Sequence, residues 1–285
     1  MSVDILQERI RKTKSPIIVD LSVEIMQIPE NMRQGKTAAE AYYTFCSAML
    51  NGLKEVAAGV RFDFNHCAML GALEQLRQLM EQAQKLGYYV LLDAPSVLSQ
   101  EQAERAARLL DDHSGFLCHG LIANPYIGSD AIKAFVPYAK EGKSVFFAVR
   151  AANKSAAELQ DMMTGSRLVH VAAADHVKRH GEAILGKCGY SQLGALTAAT
   201  NTNAVMGLRS KYSRLFLLVD GLDLPGGNGK NCSLGFDRFG HGCAISVGSA
   251  ITAAWQENGE VDAITAAQQA AERIRSNISR YITIL

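Results

Sequence analysis

The segment YYVLLDAPSVLSQEQ, residues 88–102, contains one strand, a loop and the start of a helix. Five apolar or aromatic residues precede Asp93, and a strand that is apolar at every position is typical of a parallel sheet buried on both faces. Ser99 and Gln102 have the spacing of a capping box, in which two side chains bind free backbone N–H groups at a helix N-terminus. The segment therefore predicts one β/α unit with Asp93 at the carboxyl end of its strand.

The same pattern of a short apolar strand followed by a helical stretch occurs eight times along the chain. The predicted strands cover residues 16–22, 59–65, 88–94, 115–123, 144–150, 192–198, 214–220 and 243–249. No linker rich in Pro, Gly or Ser divides the 285 residues. Eight such units predict an α/β fold, a single-domain (β/α)8 TIM barrel over residues 1–285. We also expect a mostly helical excursion at about 151–189 and a last helix at about 257–280. A doubly wound open sheet is the alternative, but no G-x-G-x-x-G follows the first strand.

Composition argues against several classes of partner. The formal net charge of +1 gives no electrostatic reason to bind nucleic acid or an anionic membrane. The N-terminal segment 1–16 is charged throughout and lacks the apolar centre of a signal peptide. The six cysteines are scattered without a C-x-x-C pair, which predicts reduced structural thiols. We therefore expect a cytoplasmic protein that binds neither nucleic acid nor a membrane.

Two segments could hold a metal or an anion, and both have a simpler interpretation. His176 and His180 are spaced to share a helix face, but such a pair is usual on a solvated helix. The glycine-rich segment 226–242 lacks the strand-to-helix context of a P-loop. We expect it to be a mobile loop near the barrel mouth, where it could bring Lys230 or Arg238 to a ligand. The sequence therefore predicts no metal and no cofactor.

Polar residues stand at the carboxyl ends of the predicted strands, where TIM barrels place their active sites. These residues are Asp20, Ser22, Arg61, Asp63, Asn65, Asp93, Asn124, Arg150, Asn153, Thr200, Asp220, Asp223 and Ser249, with Gly248 beside Ser249 at the last strand end. Because alternate strand residues face the same side, four carboxylates are expected to surround the Arg61 guanidinium. They belong to Asp20, Asp63, Asp93 and Asp220. The alternative for each is structural: an ion pair with Arg61, a turn cap, or a helix cap.

Several of these strand ends, taken in order, resemble the orotidine 5′-phosphate decarboxylases, particularly the longer bacterial (group 2) form. The similar segments are ANPYIGSDAIKAF (123–135), AVRAANKSAAELQ (148–160), LGALTAAT (193–200), LVDGLDLPGGNG (218–229), ISVGSAIT (245–252) and the spacing from Ser22 to Pro29. The resemblance implies a homodimeric TIM barrel. It also implies the family reaction, decarboxylation of orotidine monophosphate to uridine monophosphate in pyrimidine biosynthesis.

The resemblance implies as well that most functional positions of the family are substituted here. The strand-three motif Asp-x-Lys-x-x-Asp of the family reads Asp93-Ala94-Pro95-Ser96-Val97-Leu98. The strand-one aspartate falls on Ser22 and the strand-two lysine falls on Arg61. The base-reading serine, the phosphate-binding glutamine and the phosphate-binding arginine fall on Ala152, Pro225 and Ser249.

These substitutions remove the chemistry that the family reaction requires. Loss of CO2 leaves a carbanion on the pyrimidine, which a buried ammonium must stabilise and then protonate. Pro95 has no ionisable group, and an arginine at position 61 holds its proton too tightly to donate it. We therefore expect this chain to lack efficient decarboxylase activity.

Two other functions remain open. The first is a diverged enzyme that acts on another small metabolite through Asp20, Arg61, Asp63 and Asp93. The second is a non-catalytic paralogue that binds a metabolite or a partner, which Val97 and Leu98 packed inside the mouth would favour. In either case the ligand is a nucleotide or another metabolite. The candidate ligand-binding residues are Ser22, Asn124, Thr200, Asp220, Gly226, Gly227, Gly248 and Ser249.

Overall fold

Eight parallel strands form one closed barrel in the computed structural model, which describes residues 1–257 and 261–284. The strands are β1 (Ile17–Asp20), β2 (Gly59–Asp63), β3 (Tyr89–Asp93), β4 (Gly120–Ala123), β5 (Ser144–Ala148), β6 (Leu193–Ala198), β7 (Leu217–Asp220) and β8 (Cys243–Val247). Each strand pairs with the next in chain order, and β8 closes the barrel by pairing with β1. The predicted TIM barrel is therefore confirmed.

Helices cover the outside of the barrel and its N-terminal end. They are α1 (Ser2–Thr13), α2 (Glu30–Arg33), α3 (Ala38–Leu53), α4 (Phe64–Met69), α5 (Leu73–Lys85), α6 (Gln100–Ala107), α7 (Ser129–Lys133), α8 (Val136–Lys140), α9 (Ala157–Gln160), α10 (Val169–Gly181), α11 (Thr202–Lys211), α12 (Gly229–Ser233), α13 (Ser249–Thr252) and α14 (Ala263–Ser279). No helix of the described residues is both long and apolar enough to cross a membrane.

The predicted elements differ from the structure mainly at their boundaries. The fourth strand begins at Gly120, because the chain turns just before it, where the Cys118 amide donates to the Phe116 carbonyl. The excursion at 151–189 is mostly helical, as predicted, but it also contains a hairpin of strands Met163–Thr164 and Arg167–Leu168. The predicted last helix is observed as α14, and residues 258–260 of that prediction lie outside the described residues.

The N-terminal helix α1 closes one end of the barrel. Its buried residues Val3, Leu6 and Ile10 pack against the inward-facing side chains of the strands. The Ser2 hydroxyl lies 2.8 Å from the Tyr89 hydroxyl, at the centre of that end. Only the carboxyl ends of the strands remain open, and we call this open end the barrel mouth.

The wall of the mouth is polar on one side and apolar on the other. The strands β4, β5 and β6 contribute Ile122, Ala148 and Leu196 to the interior. The other five strands carry inward-facing polar residues at or near their carboxyl ends, which are Asp20, Arg61, Asp93, Asp220 and Ser246. This asymmetry confines the charged side chains inside the barrel to β1, β2, β3 and β7, with the Ser246 hydroxyl on β8 beside them.

Candidate functional site

The guanidinium of Arg61 lies at the centre of the polar side of the mouth. Its neighbours Val60 and Phe62 pack in the outer core against the helices, so Arg61 points into the barrel. The Nε and Nη2 atoms donate to the two carboxylate oxygens of Asp93, at 2.8 and 2.6 Å. This bidentate geometry is the strongest arrangement available to an arginine and a carboxylate.

The remaining nitrogen, Nη1, serves three other strands. It donates to Asp220 Oδ2 at 3.1 Å and to the Ser246 hydroxyl at 3.0 Å. It also forms an ion pair with Asp20 Oδ2 at 3.3 Å. We call these five residues, Asp20, Arg61, Asp93, Asp220 and Ser246, the Arg61 cluster. The Arg61 side chain is only 12% exposed, so the cluster closes over its own cation.

Backbone and hydroxyl groups hold the outer carboxylates of the cluster. Asp20 Oδ1 accepts hydrogen bonds from the Ser22 amide at 2.9 Å and from the Ser22 hydroxyl at 2.6 Å. Asp220 Oδ1 accepts from the Gly221 amide at 2.8 Å. These contacts orient both carboxylates toward Arg61. They also engage the hydroxyl of Ser22, which the sequence predicted as a ligand-binding group.

Asp63 has a different role from the other predicted carboxylates. Its Oδ1 accepts from the His66 amide at 3.0 Å, so Asp63 caps the N-terminus of α4. Within the described residues, three of the four predicted carboxylates contact Arg61. The helix-cap alternative therefore describes the geometry of Asp63, which still lies beside Asp93 in the register of β2 and β3.

The charges of the cluster do not balance, because three carboxylates surround one guanidinium. Burial raises the pKa of Asp93 to about 6, and the nearby carboxylates of Asp20 and Asp63 add to the rise against the opposing effect of Arg61. For Arg61, burial acts to lower the pKa, but the carboxylates of Asp20, Asp93 and Asp220 outweigh it and hold the pKa well above its usual value. Arg61 therefore stays charged, and Asp93 is the group that takes up a proton near pH 6.

The loop after β3 presents no ionisable side chain to the cluster. Val97 is 2% exposed and packs in the outer core, whereas Leu98 is 81% exposed. Burial of both Val97 and Leu98 would have favoured a mouth plugged by apolar side chains, but only Val97 is buried. Pro95 occupies the position where the resemblance places the essential lysine.

A carboxylate of the chain occupies the start of α13, after β8. Asp223 Oδ2 accepts from the Gly248 amide and the Ser249 hydroxyl, both at 3.3 Å, and from the Ala250 amide at 3.5 Å. The resemblance places a phosphate-binding arginine at Ser249. Here the Ser249 hydroxyl donates to the carboxylate of Asp223, which lies in the loop after β7.

The glycines of that loop are required by its shape. Gly226 has a φ of +93°, which favours glycine, and a Cβ on Gly227 would lie 2.0 Å from the Gly221 carbonyl oxygen. The loop is therefore tightly folded. Asp220 at its start belongs to the Arg61 cluster, and Asp223 farther along accepts hydrogen bonds at the start of α13.

The other predicted site residues make local contacts. Asn124 is exposed, and its Oδ1 accepts from the Tyr126 amide at 2.9 Å. Thr200 donates to the Ala152 carbonyl at 2.9 Å and so ties the loop after β6 to the loop after β5. The structure brings neither residue to the Arg61 cluster.

The predicted role of Arg238 at the mouth is wrong. Residues 234–242 return the chain to the closed end of the barrel, because β8 must begin there to run parallel to its neighbours. Asp237 in this segment accepts from the hydroxyl of Tyr190, which precedes β6. Lys230, in contrast, lies in α12 and is exposed.

The histidine pair of α10 does not gather metal ligands. His176 Nδ1 lies 3.3 Å from the Ser129 hydroxyl, and Asp175 accepts from the Tyr212 hydroxyl at 2.6 Å instead. Across the described part of the chain, no group of three or more His, Cys, Asp or Glu side chains is placed to hold a metal ion.

A second polar network, centred on Asp161, was missed at the level of sequence. Its carboxylate accepts from Arg150 Nε and Nη2 at 2.9 and 3.0 Å and from Asn201 Nδ2 at 3.1 Å, and His170 Nδ1 lies 3.1 Å away. The network borders a groove of about 760 Å³ between the loops that follow β5, β6 and β7. Arg150 was recognised as a strand-end residue, but Asp161 lies in the excursion, where no periodic pattern pointed to it.

Comparison with known proteins gives one consistent result. The chain is similar over nearly its whole length to proteins named orotidine 5′-phosphate decarboxylase. The relative from Clostridium kluyveri is 27% identical over 98% of this chain and 97% of its own length. The relative from Clostridium novyi is 24% identical over 90% of this chain and 91% of its own length. No family model matches the chain.

Solved structures of proteins with this name share the barrel. The Leishmania donovani enzyme superposes with a TM-score of 0.75 at 23% identity and covers 98% of both chains. The Plasmodium berghei enzyme superposes with a TM-score of 0.76 at 12% identity and covers 99% of both chains. Because both sequence identities are below 25%, the structural similarity establishes a shared fold.

Replacing Arg61 tests how strongly the barrel depends on its cation. Arg61→Met removes the cation that three carboxylates share, and we expect it to lower the free energy of unfolding by about 3–5 kcal/mol. Arg11→Met is the matched control, because Arg11 pairs with Glu8 on an exposed helix face, and a change within about 0.5 kcal/mol is expected there. Urea unfolding measures both. Equal effects in the two variants would contradict the central role of Arg61.

Comparing the pH dependence of wild type and Asp93→Asn tests the raised pKa. The pKa of Asp93 is raised in the fold to about 6, so its contribution to stability is present below the ordinary aspartate pKa of about 4. That contribution is lost as the pH rises through 6. Wild type should therefore lose stability relative to Asp93→Asn between pH 4 and pH 7.

A second aspartate provides a control of opposite sign. Asp262 caps α14 by accepting from the amides of Ile264 and Thr265, and hydrogen bonding by the Thr265 hydroxyl and then by the Thr265 amide lowers its pKa. Wild type should gain stability relative to Asp262→Asn as the pH rises through the acid range. If wild type also gains stability relative to Asp93→Asn as the pH rises, the pKa of Asp93 is lowered in the fold. Attraction by Arg61 would then outweigh the effect of burial on the Asp93 carboxylate.

Proposed function

We propose that this protein is a barrel of the orotidine 5′-phosphate decarboxylase family that has lost decarboxylation and keeps a small-molecule site at its mouth. The observation that carries the proposal is the engaged guanidinium of Arg61, which stands where the resemblance places a lysine. Similarity to proteins with the family name, over nearly the full length of the chain, supports the family assignment.

The Arg61 cluster lacks a group that could complete the family reaction. A carbanion left by CO2 needs a cation that stabilises it and then donates a proton. Arg61 is the cation of the cluster, its N–H groups already bind four partners, and its raised pKa makes proton loss unfavourable. Asp93 can hold a proton, but donating it would leave a third negative charge beside Asp20 and Asp220. The chemistry of the cluster therefore opposes carbanion formation.

The environment after β8 also opposes the family substrate. Asp223 occupies the Gly248 and Ala250 amides with its own carboxylate. A phosphate at this position would have to displace that carboxylate or bear its repulsion. Ser249 supplies a hydroxyl in place of the guanidinium that normally gives phosphate its bidentate contact.

One observation favours a second candidate, a diverged enzyme acting on a small metabolite without a phosphate. The pKa of Asp93, raised to about 6, suits a group that exchanges protons near neutral pH. In this case Asp93 would serve as general acid or base, with Arg61 holding it in place. Turnover with an inflection near pH 6 that is lost in Asp93→Asn would distinguish this candidate from the non-catalytic one.

We further propose that the protein forms a homodimer through its barrel mouth. The resemblance implies dimers in which a neighbour contributes an aspartate, and in a homodimer of this chain the equivalent residue is Leu98. Three apolar side chains in the segments that follow β1, β2 and β3 are exposed, those of Met26, Met69 and Leu98. A second copy that covers them would remove this apolar surface from water. A cytoplasmic location and independence of metals and cofactors stay predictions.

The loss of activity is tested by assaying the purified protein with orotidine monophosphate. We expect no decarboxylation above the buffer blank, because the cluster has no proton-donating cation. The Clostridium kluyveri relative, assayed in parallel, shows whether the conditions support the reaction. Measurable turnover that disappears in Arg61→Met or Asp93→Asn would overturn the proposal.

The homodimer is tested by sedimentation equilibrium over a range of protein concentrations. We expect the wild type to have twice the monomer mass, and Leu98→Asp to weaken association tenfold or more by placing a charge at the interface. Met206→Asp is the matched control, since Met206 is also exposed but lies on α11 outside the mouth. A monomeric wild type, or equal weakening by both variants, would contradict this arrangement.

A further inference from the structure

A separate groove lies at the closed end of the barrel, away from the mouth. It has a volume of about 380 Å³, which is within the size range of small-molecule sites. Ser191 and Leu215 line it, and they lie just before the starts of β6 and β7. Because all strands of the barrel begin at the closed end, the barrel itself separates this groove from the Arg61 cluster. We call it the closed-end groove.

Part of the lining of the closed-end groove is apolar. Tyr212 and Leu215 are buried, and Leu185 is half-buried. The Tyr212 hydroxyl donates to Asp175 Oδ1 at 2.6 Å, so the polar end of this side chain is already held by α10. A ligand in the groove would therefore find an apolar surface to cover.

Three cationic side chains line the same groove. Lys178 on α10 pairs with Glu182, and Lys211 at the end of α11 pairs with Asp175 at 3.0 Å. Arg214, in the loop before β7, is exposed, and within the described residues its guanidinium has no ion-pair partner. Both carboxylates are thus already paired with lysines, and the charge of Arg214 is left over. The groove therefore carries an excess of positive charge.

The carbonyls at the edge of the groove are already bound. Two helices, α10 and α11, end there, and free carbonyls at a helix C-terminus would repel an anion. The Gly181 carbonyl at the end of α10 accepts from the Ser191 hydroxyl at 2.9 Å. Beyond α11, the carbonyls of Tyr212 and Ser213 accept from Arg209 Nη1 at 3.4 and 3.3 Å. These contacts occupy acceptors that would otherwise oppose a negative ligand.

The donors of the groove, in contrast, are largely free. A guanidinium has five N–H groups in a planar fork, and in the described part of the chain no acceptor binds those of Arg214. Ser213 beside it is exposed and adds a hydroxyl. An arginine fork fits the two oxygens of a carboxylate or a phosphate with two parallel hydrogen bonds. The groove therefore selects an oxyanion.

We propose that the closed-end groove binds a small organic anion. Its carboxylate or phosphate would lie on Arg214, and its apolar body would cover Tyr212, Leu185 and Leu215. The inference goes beyond the proposed function, because the groove shares no residue with the Arg61 cluster or with the loops of the mouth. Turnover of orotidine monophosphate would overturn the proposed function and leave this site untouched, whereas failure to bind anions would do the reverse.

The test is isothermal titration of the full-length protein with benzoate and with phenyl phosphate. Benzyl alcohol is the uncharged match, because it carries the same ring without the anionic group. We expect at least one anion to bind at least about tenfold more tightly than benzyl alcohol, as one charge-assisted contact provides. The tighter anion indicates whether the natural ligand carries a carboxylate or a phosphate. If neither anion binds more tightly than benzyl alcohol, the proposal is wrong.

Variants at Arg214 locate the bound anion without disturbing the fold. Arg214→Gln should weaken binding about tenfold or more, and Arg214→Lys should have an intermediate affinity, because a lysine keeps the charge but not the planar fork. The exposed side chain lies outside helices and strands, so both variants should melt close to the wild-type temperature.

Arg238→Gln is the matched control for these variants. Arg238 is also exposed and lies in the segment that returns to the closed end, where its guanidinium stacks 4.6 Å from the centre of the Phe239 ring. We expect this variant to bind the anion as tightly as wild type. Wild-type affinity in Arg214→Gln, or an equal loss in Arg238→Gln, would show that the anion does not bind in the closed-end groove.

Discussion

The guanidinium of Arg61 links the carboxyl ends of five strands. It lies on β2 and binds Asp93 on β3, Asp220 on β7, Ser246 on β8 and Asp20 on β1. A buried charge is costly unless it is paired and hydrogen-bonded, so each of these contacts depends on the others being present. The cluster thereby fixes the side chains of more than half of the barrel mouth. The loops that follow these strands start from positions set by the same cation.

The interaction that holds the mouth together also limits its chemistry. A guanidinium engaged by several partners neither gives up a proton nor accepts a substrate carboxylate without losing one of those partners. Burial, with the neighbouring carboxylates adding to it, raises the pKa of Asp93, and the cluster contains no reactive cation among the described residues. On the far side of the mouth, Arg150 is held by one carboxylate, that of Asp161, and by the Ala151 carbonyl. The two arginine networks therefore differ in the number of carboxylates that share one guanidinium, three around Arg61 and one beside Arg150.

Much of the fold follows from local sequence patterns, and much of the candidate site does not. Strands that are apolar at every position predicted the barrel, and alternation placed Asp20, Arg61, Asp93 and Asp220 on its inner face. Asp63 faces the same side but caps α4, because its side chain reaches the His66 amide of its own loop. Arg238 was misplaced because a glycine-rich segment contains no pattern that tells which end of a barrel it reaches. Asp161 was overlooked because its partners, Arg150 and Asn201, are distant in the chain.

The sequence by itself determined the eight strands, the residues at their carboxyl ends and the absence of an ionisable group at Pro95. These properties depend on residue type and on the period of a strand, both of which are local. Only the tertiary structure decided which carboxylates share Arg61, that Asp223 occupies the start of α13, and that a groove lies beside Arg150. Those pairings join residues separated by as many as 159 positions, as for Arg61 and Asp220. Barrel closure is what brings such residues within hydrogen-bonding distance, so no local pattern encodes them.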